Sequence, residues 1–286
     1  MFKIAVLSKE VTEKVLKMPE VIKTVEEVYK LKANGETTVF PLVTYEFNPG
    51  VADMDIKSGW IKGSNIFGLK IVSWFNDNTE KNLPALIGTI MVMDANTGVP
   101  IGILDGSHIT GMRTGAAGAI GAKALARSNS ETLMMVGAGH IALFEIAATL
   151  MMFPGIKKVM IYGGVNKNKC EKFTLNMPDA LKKTFDFDSS KIKFEVVTDL
   201  AIATGESDII ITATPSHEPI IKNEWVKEGT HFSCVGADMS GKEEIDPEIF
   251  RNARVFTDDT EQCINVGEIE IPIKKGILKI ENIAGE

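Results

Sequence analysis

The sequence predicts an α+β domain over residues 1–118 followed by a doubly wound α/β domain with a parallel sheet over 119–265, and three observations carry this. The first part mixes helical spacing with strands joined by a tight turn. The second alternates short, continuously apolar strands with helices, the pattern of a sheet buried on both faces. Between them the run 110–127 is rich in Gly and Ala, which lets a helix pack closely against a neighbour. Residues 266–286 are expected to return to the first domain.

In chain order, Val11, Val15, Leu16, Val21, Ile22, Val25, Val28 and Tyr29 recur near helical spacing between residues 8 and 31. Pro19 starts a second helix there, because proline fits a first turn and disrupts an interior. Strand-like segments follow at 38–45, 65–75, 86–94 and 99–105. The last two are joined by Asn96-Thr97-Gly98, residues that suit the positive φ of a hairpin turn. These elements read as an antiparallel sheet with helices.

Beyond residue 127 the expected elements are a strand at 132–136, a helix at 140–152, a strand at 158–162 and a polar helix near 168–181. A strand at 193–198, a helix at 199–205 and strands at 208–212 and 231–235 complete the series. Leu133-Met134-Met135-Val136 and Ile209-Ile210-Ile211 are apolar without interruption, as central parallel strands are.

Composition removes several classes of function. A chain of 286 residues is long enough for two cores, and its hydrophobic fraction of 44% and charged fraction of 24% are those of a globular protein. A net charge of −7 argues against a nucleic-acid surface, which needs clustered cations. No apolar run approaches the roughly 20 residues that cross a bilayer, and the apolar start, Phe2 to Leu7, is too short for a signal peptide. Cys170, Cys234 and Cys263 are odd in number and far apart, which fits reduced thiols in the cytoplasm and neither a disulfide framework nor a metal site. Arg is scarce, at 113, 127, 251 and 254 alone.

Val136-Gly137-Ala138-Gly139-His140-Ile141-Ala142 follows a strand and opens a helix, which is the G-x-G-x-x-A form of the dinucleotide fingerprint. The first glycine allows the tight turn, the second admits the pyrophosphate, and the helix N-terminus supplies N–H donors. The second domain is therefore expected to be of the Rossmann type and to bind NAD(P). The acid that holds the ribose hydroxyls of NAD about twenty residues on is absent. Asn166, Lys167 and Lys169 stand there instead, which favours NADP slightly over NAD. Thr212-Ala213-Thr214-Pro215-Ser216 ends a strand and is expected to border the cofactor.

Several segments together resemble the ornithine cyclodeaminase/mu-crystallin family. They are residues 67–73, Leu83-Pro84-Ala85, the run 103–117, Leu125-Ala126-Arg127, the glycine loop, residues 212–216 and the run 236–246, in order from about residue 60 to 270. The resemblance implies a homodimer built by the first domain, a small amino- or imino-acid substrate and hydride transfer at its α-carbon. It places Lys70 and Arg113 in the cleft, where cations are needed for a substrate carboxylate, and makes Lys70 and Asp238 the catalytic candidates. Asp238, after a strand, is suited to act as general base or to stabilise an iminium. Arg113, Thr114, Gly236, Asp238 and Lys242 join Gly137, Ala138, Gly139, His140, Ile141, Asn166, Lys167, Thr212, Ala213 and Thr214 as expected cofactor contacts, with Glu243 as a supporting member. None of His108, His140, His217 and His231 is expected to be catalytic.

Within the family the sequence leans to ornithine cyclodeaminase, with ketimine reductase or alanine dehydrogenase as alternatives and a non-catalytic NADP-binding role, as in mu-crystallins, as the reading of another class. Three departures stand out. No Arg precedes Arg113, whereas members often carry one in the early strands. Ala85 replaces a common threonine. The chain stops at Glu286, where relatives continue with a segment that closes the site, so the ending is that of a short variant or of a truncated chain.

Overall fold

The computed structural model describes residues 2–286 and falls into two units, one ending at Arg113 and one beginning at Thr114. The division lies inside a helix, a little before the expected boundary at 118.

The first unit runs β1 (Ala5–Leu7), α1 (Lys9–Val15), α2 (Met18–Ala33), β2 (Thr37–Val39), β3 (Val43–Asn48), β4 (Ala52–Ile61), β5 (Ile66–Phe75), β6 (Leu86–Asp94) and β7 (Pro100–Asp105), and leads into α3 (Ser107–Leu125). Its sheet has the order β1-β7-β6-β5-β4-β2, with β3 also on β4. Only β1 on β7 is parallel. Pro19 lies in the first turn of α2, as its missing N–H allows. The β6–β7 turn closes as expected. Gly98 takes φ +71°, and Asp94 Oδ1 accepts the N–H groups of Asn96 and Thr97 at 2.9 and 2.8 Å.

Two findings differ from the sequence reading here. The strand expected over 38–45 is two strands, β2 and β3, separated at Phe40-Pro41-Leu42, where proline withholds a ladder N–H. β4, among the longest strands, was not expected at all. Yet Ala52, Met54 and Ile56 alternate with Asp53, Asp55 and Lys57 along it, the two-residue period of a strand with unlike faces.

The second unit contains β8 (Thr132–Val136), α4 (His140–Met152), β9 (Lys158–Tyr162), α5 (Lys167–Leu175), α6 (Met177–Phe185), β10 (Lys193–Val196), α7 (Leu200–Glu206), β11 (Ile209–Thr212) and β12 (His231–Cys234). These five strands form the expected parallel sheet, in the order β10-β9-β8-β11-β12. The order reverses between β8 and β11, which is where such sheets bind ligands. Strand residues pack alternately into two cores. Leu133, Met135, Ile209 and Ile211 join Ile146 and Leu181 on one side, and Met134, Val136 and Ile210 join Ile245 and Phe250 on the other. Burial on both faces, at about 1.5–3 kcal/mol for each large aliphatic side chain, is why these strands read as unbroken apolar runs.

The polar helix expected near 168–181 is broken at Asn176, which ends α5 and precedes α6, whose first turn contains Pro178. Residues 266–286, expected to return to the first domain, belong instead to the second unit. There β13 (Val255–Phe256) pairs in parallel with β14 (Ile283–Gly285), and α8 (Thr260–Cys263) and α9 (Glu270–Lys274) lie between them. Ile269 and Leu278 from this segment are buried in the second core.

The Gly/Ala run of α3 meets α4 with no room to spare. A Cβ added at Gly115 would lie 2.4 Å from the Phe144 carbonyl oxygen, whereas one at Gly121 would find its nearest neighbour, Ser233 Oγ, at 3.8 Å. Replacing a helical Gly by Ala gains about 0.5–1 kcal/mol in propensity, but a clash with backbone cannot rotate away and costs about 1–3 kcal/mol. Gly115→Ala is therefore expected to lower the unfolding midpoint and Gly121→Ala to raise it. Equal shifts in thermal unfolding would refute close packing at position 115.

Candidate functional site

The glycine loop leaves β8 at Val136. Gly137 adopts φ +121°, and a Cβ there would lie 2.6 Å from Ala213 O, so no other residue fits without moving the β11 loop. Its N–H donates to Tyr162 O at 2.7 Å. Gly139 is the N-cap of α4, no side chain caps this end, and no acidic residue occupies the first turn. A Cβ at Gly139 would meet nothing within 4 Å. An uncapped helix start with open space before it is what a pyrophosphate needs, so these residues fit a dinucleotide. Ala138 and Ile141 are half-buried and His140 is exposed, its ring 5.1 Å from that of Phe144. Ala142, the small third position of the fingerprint, is buried.

After β9 the chain has no carboxylate to offer a ribose. A Cβ at Gly163 would lie 2.5 Å from that of Cys170, Gly164 has φ +69°, and Val165 is fully exposed. Asn166 caps α5, its side chain accepting the Lys169 N–H at 3.0 Å, and Lys167 opens that helix. The side-chain oxygen of Asn166 is thus committed to the helix.

The ends of β11 and β12 are gathered by one side chain that the sequence reading overlooked. Glu244 has no exposed surface. Its Oε1 accepts the N–H and hydroxyl of Thr214 at 2.6 and 2.7 Å. Its Oε2 accepts the hydroxyl of Thr212 at 2.7 Å and the N–H of Gly236 at 3.0 Å. Burial pushes the Glu244 carboxyl up, and the hydrogen bonds from Thr212, Thr214 and Gly236 oppose that. Thr212, expected to border the cofactor, is instead fully buried with its hydroxyl on Glu244. Glu243, expected as the supporting acid, turns to Lys275 at 3.8 Å. Adjacent acids after a strand were visible in the sequence; which of them would reach the β11 and β12 loops was not, and both are buried.

Two further acids hold the same loop. Glu268 Oε1 accepts the N–H groups of Glu244 and Ile245 at 2.8 and 2.7 Å, while its buried Oε2 meets no hydrogen-bond partner. Burial, reinforced by the neighbouring Glu244, pushes the Glu268 carboxyl up to about 8. Glu270 accepts from the Ser240 hydroxyl at 2.6 Å and the Gly241 N–H at 2.9 Å, and pairs with Lys274. Between these anchors Asp238 is exposed, with Lys242 Nζ 2.6 Å from its Oδ1. The Asp238 side chain is 46% exposed and that of Lys242 only 11%, so a well-held ammonium sets where the carboxylate points.

In the first unit, Lys70 lies at mid-strand on β5, and its Nζ donates to Thr110 Oγ1 at 3.2 Å. Its direct cross-strand neighbour on β4 is Lys57, which the sequence reading missed with the strand itself. Lys57 Nζ is 3.1 Å from Asp55 Oδ2. Arg113, exposed, follows Thr110 by three residues on α3, which places the two on one helix face. Thr114 is buried.

Among the described residues no helix is long and apolar enough to cross a membrane, and no cluster of His, Cys, Asp or Glu could hold a metal. The model of the ornithine cyclodeaminase/mu-crystallin family matches residues 3–285. The chain is 34% identical to the alanine dehydrogenase of Archaeoglobus fulgidus over 97% of its own length and 81% of the relative's. Among solved structures it is similar to the Delta(1)-pyrroline-2-carboxylate reductase of Thermococcus litoralis in complex with NADH and L-proline. The TM-score is 0.90 and the identity 31%, over 99% of this chain and 84% of that one. An archaeal alanine dehydrogenase dimer with bound NAD follows, with TM-score 0.87 and 33% identity over 99% and 82%.

Because the folded state holds Glu268 protonated to about pH 8, against 4.5 for an ordinary glutamate, its contribution to stability is complete below 4.5. That contribution is lost as pH rises toward 8. Glu268→Gln, which keeps an acceptor for the two N–H groups and cannot ionise, is expected to flatten the fall in unfolding free energy across this window. Parallel urea titrations of both proteins check this, and an unchanged slope would refute it.

Proposed function

The chain belongs to the ornithine cyclodeaminase/mu-crystallin family, and from that premise we propose that it interconverts a small α-amino acid and its imine as an NAD(H)-dependent dehydrogenase or imine reductase. The observation that carries this reading is the cross-strand placement of Lys57 against Lys70, with Thr110 and Arg113 following on one face of α3. Lys57, Lys70 and Arg113 supply the cations, and Asp55 is paired to Lys57. Such a cluster suits a substrate's carboxylate and repels a second ammonium group. A monoamino or cyclic imino acid therefore fits better than ornithine, and the lean of the sequence toward the cyclodeaminase branch is not followed. The similar solved structures hold NADH with L-proline, or NAD, which agrees with this choice of substrate and does not support the slight preference for NADP.

A bound nicotinamide supplies the hydride acceptor or donor. Arg113 offers a fork of parallel N–H donors to a carboxylate, and Lys70, fixed by Thr110, adds a point charge. Lys57 raises the local positive potential. Asp238 takes the proton released from the substrate nitrogen on oxidation and returns it on reduction, and Lys242 orients it. Gly137, Ala138, Gly139, His140 and Ile141 hold the pyrophosphate; Ala213, Thr214 and Gly236 bound the dinucleotide at the β11 and β12 ends, and Asn166 and Lys167 lie on its ribose side.

Titration with NADH and NADPH, then challenge with a cyclic ketimine acid, with pyruvate plus ammonia, and with ornithine, tests the reading. NADH is expected to bind at least as tightly as NADPH and to be consumed with a ketimine or keto acid. Asp238→Asn should keep cofactor binding and lose turnover about a hundredfold or more. Conversion of ornithine to proline with no net cofactor change would replace this reading by the cyclodeaminase one, and binding with no turnover would replace it by a non-catalytic role.

A homodimer is part of the same proposal. Val43, Tyr45, Leu69, Ile71 and Ile87 are exposed on one face of the first unit's sheet by register. An apolar face of that kind marks an interface, and the similar archaeal alanine dehydrogenase is a dimer. Light scattering is expected to give a dimer that Ile71→Glu converts to monomer; a monomeric parent would refute it.

A further inference from the structure

We propose that Glu244 is a positioning residue for hydride transfer, holding the loops after β11 and β12 at the spacing that turnover requires. The inference rests on the functional reading above and adds a role to a side chain which that reading leaves unused.

Both loops end on the same carboxylate. Thr212 and Thr214 come from the β11 side, Gly236 from the β12 side, and between them they use two acceptor sites on each oxygen of Glu244. Neither loop can shift without breaking a hydrogen bond to this buried carboxyl group. The β11 loop also touches the glycine loop, since Ala213 O occupies the space that a Cβ on Gly137 would need. Gly236 is equally confined, because a Cβ there would lie 2.5 Å from Glu244 Oε2 and from Thr214 N. At the switch point the Ala213 N–H donates to Val136 O at 2.9 Å, and Glu244 holds the residues that follow β11 against the β12 loop. On the other loop Asp238 follows Gly236 by two residues, and its N–H donates to Gly236 O at 3.0 Å, so the same anchor fixes the proposed proton acceptor.

Glu244 is itself held at the backbone. Glu268 grips its N–H and that of Ile245, so the side chain reaches forward from a fixed base. A purely structural carboxylate would serve stability alone. One whose bonds all go to the loops on either side of a reaction is expected to act on rate more than on affinity, because small misplacements of reacting groups cost rate steeply.

The variants Glu244→Gln and Glu244→Asp test this. In Gln one oxygen becomes NH2, and although the threonine hydroxyls can turn to accept, the N–H of Thr214 or of Gly236 is left facing a donor. Asp keeps the charge and withdraws it by one methylene. In Glu244→Gln, kcat is expected to fall about ten- to hundredfold while the Kd for NADH, read from its fluorescence, changes less than about threefold. The unfolding midpoint should stay near that of the parent. Amide hydrogen exchange in the cofactor-free chain should speed up at 212–216 and 236–238 and stay unchanged in β8. Glu244→Asp should restore part of kcat. Unchanged kcat, or losses of rate, affinity and stability in equal proportion, would overturn the proposal. If the parent chain binds NADH and turns over none of the substrates, the functional reading fails first. Exchange then decides alone, and unaltered exchange at both loops would refute the positioning role.

Discussion

A carboxylate with no exposed surface is stable only where donors replace the water it has lost, since an unmatched charge in a protein interior is prohibitive. At Glu244 those donors are two threonine hydroxyls and two backbone N–H groups drawn from separate loops. Satisfying one charge therefore fixes two loops at once. Electrostatics does here what packing does elsewhere in the sheet, and it does so at the carboxyl edge, where the last ladder bonds are those of Ala213 to Val136 and Val235 to Thr212. One layer further back Glu268, protonated to about pH 8, accepts from the backbone of Glu244 and Ile245, and Glu270 repeats the charged device on Ser240 and Gly241. The segment after residue 266 is tied to the second unit both by these acids and by Ile269 and Leu278 in its core.

The first unit shows the opposite economy. Like charges directly across a sheet are destabilising, yet Lys57 and Lys70 face each other on β4 and β5. Asp55 lies 3.1 Å from Lys57, and Thr110 accepts from Lys70 at 3.2 Å. On the reading proposed above, a substrate carboxylate drawn to these cations would make the arrangement more favourable.

What was legible in the sequence follows from the range of the forces involved. The glycine loop, the 96–98 turn and the apolar strands 133–136 and 209–211 are governed by φ, by hydrogen bonds between near neighbours and by burial on both faces, all of which leave short-range marks. β4 carried such a mark in its alternation, but Asp53, Asp55 and Lys57 gave it the polarity of a loop. The break at Asn176 depends on Pro178 two residues on, which a continuous helical pattern hides. Glu244 was out of reach for a different reason. Whether it or Glu243 reaches the two loops is decided by Thr212 and Thr214, some thirty residues earlier in the chain, and by Glu268, which comes later. The second lysine of the cation cluster was lost with its strand.

The loop after β9 contrasts with the glycine loop in how much change it can absorb. At Gly137 and Gly163 a single added carbon collides with backbone or with Cys170, so these positions are closed to variation. Val165, two residues beyond Gly163, has a fully exposed side chain, and the first turn of α5 that follows it is open to solvent. An acidic or basic side chain could be exchanged there without disturbing the sheet, the helix or the pyrophosphate cradle. On the reading proposed above, selection between the two nicotinamide dinucleotides would rest on a few surface positions, and descendants of this chain could change electron currency by drift with the buried loops around Glu244 left intact.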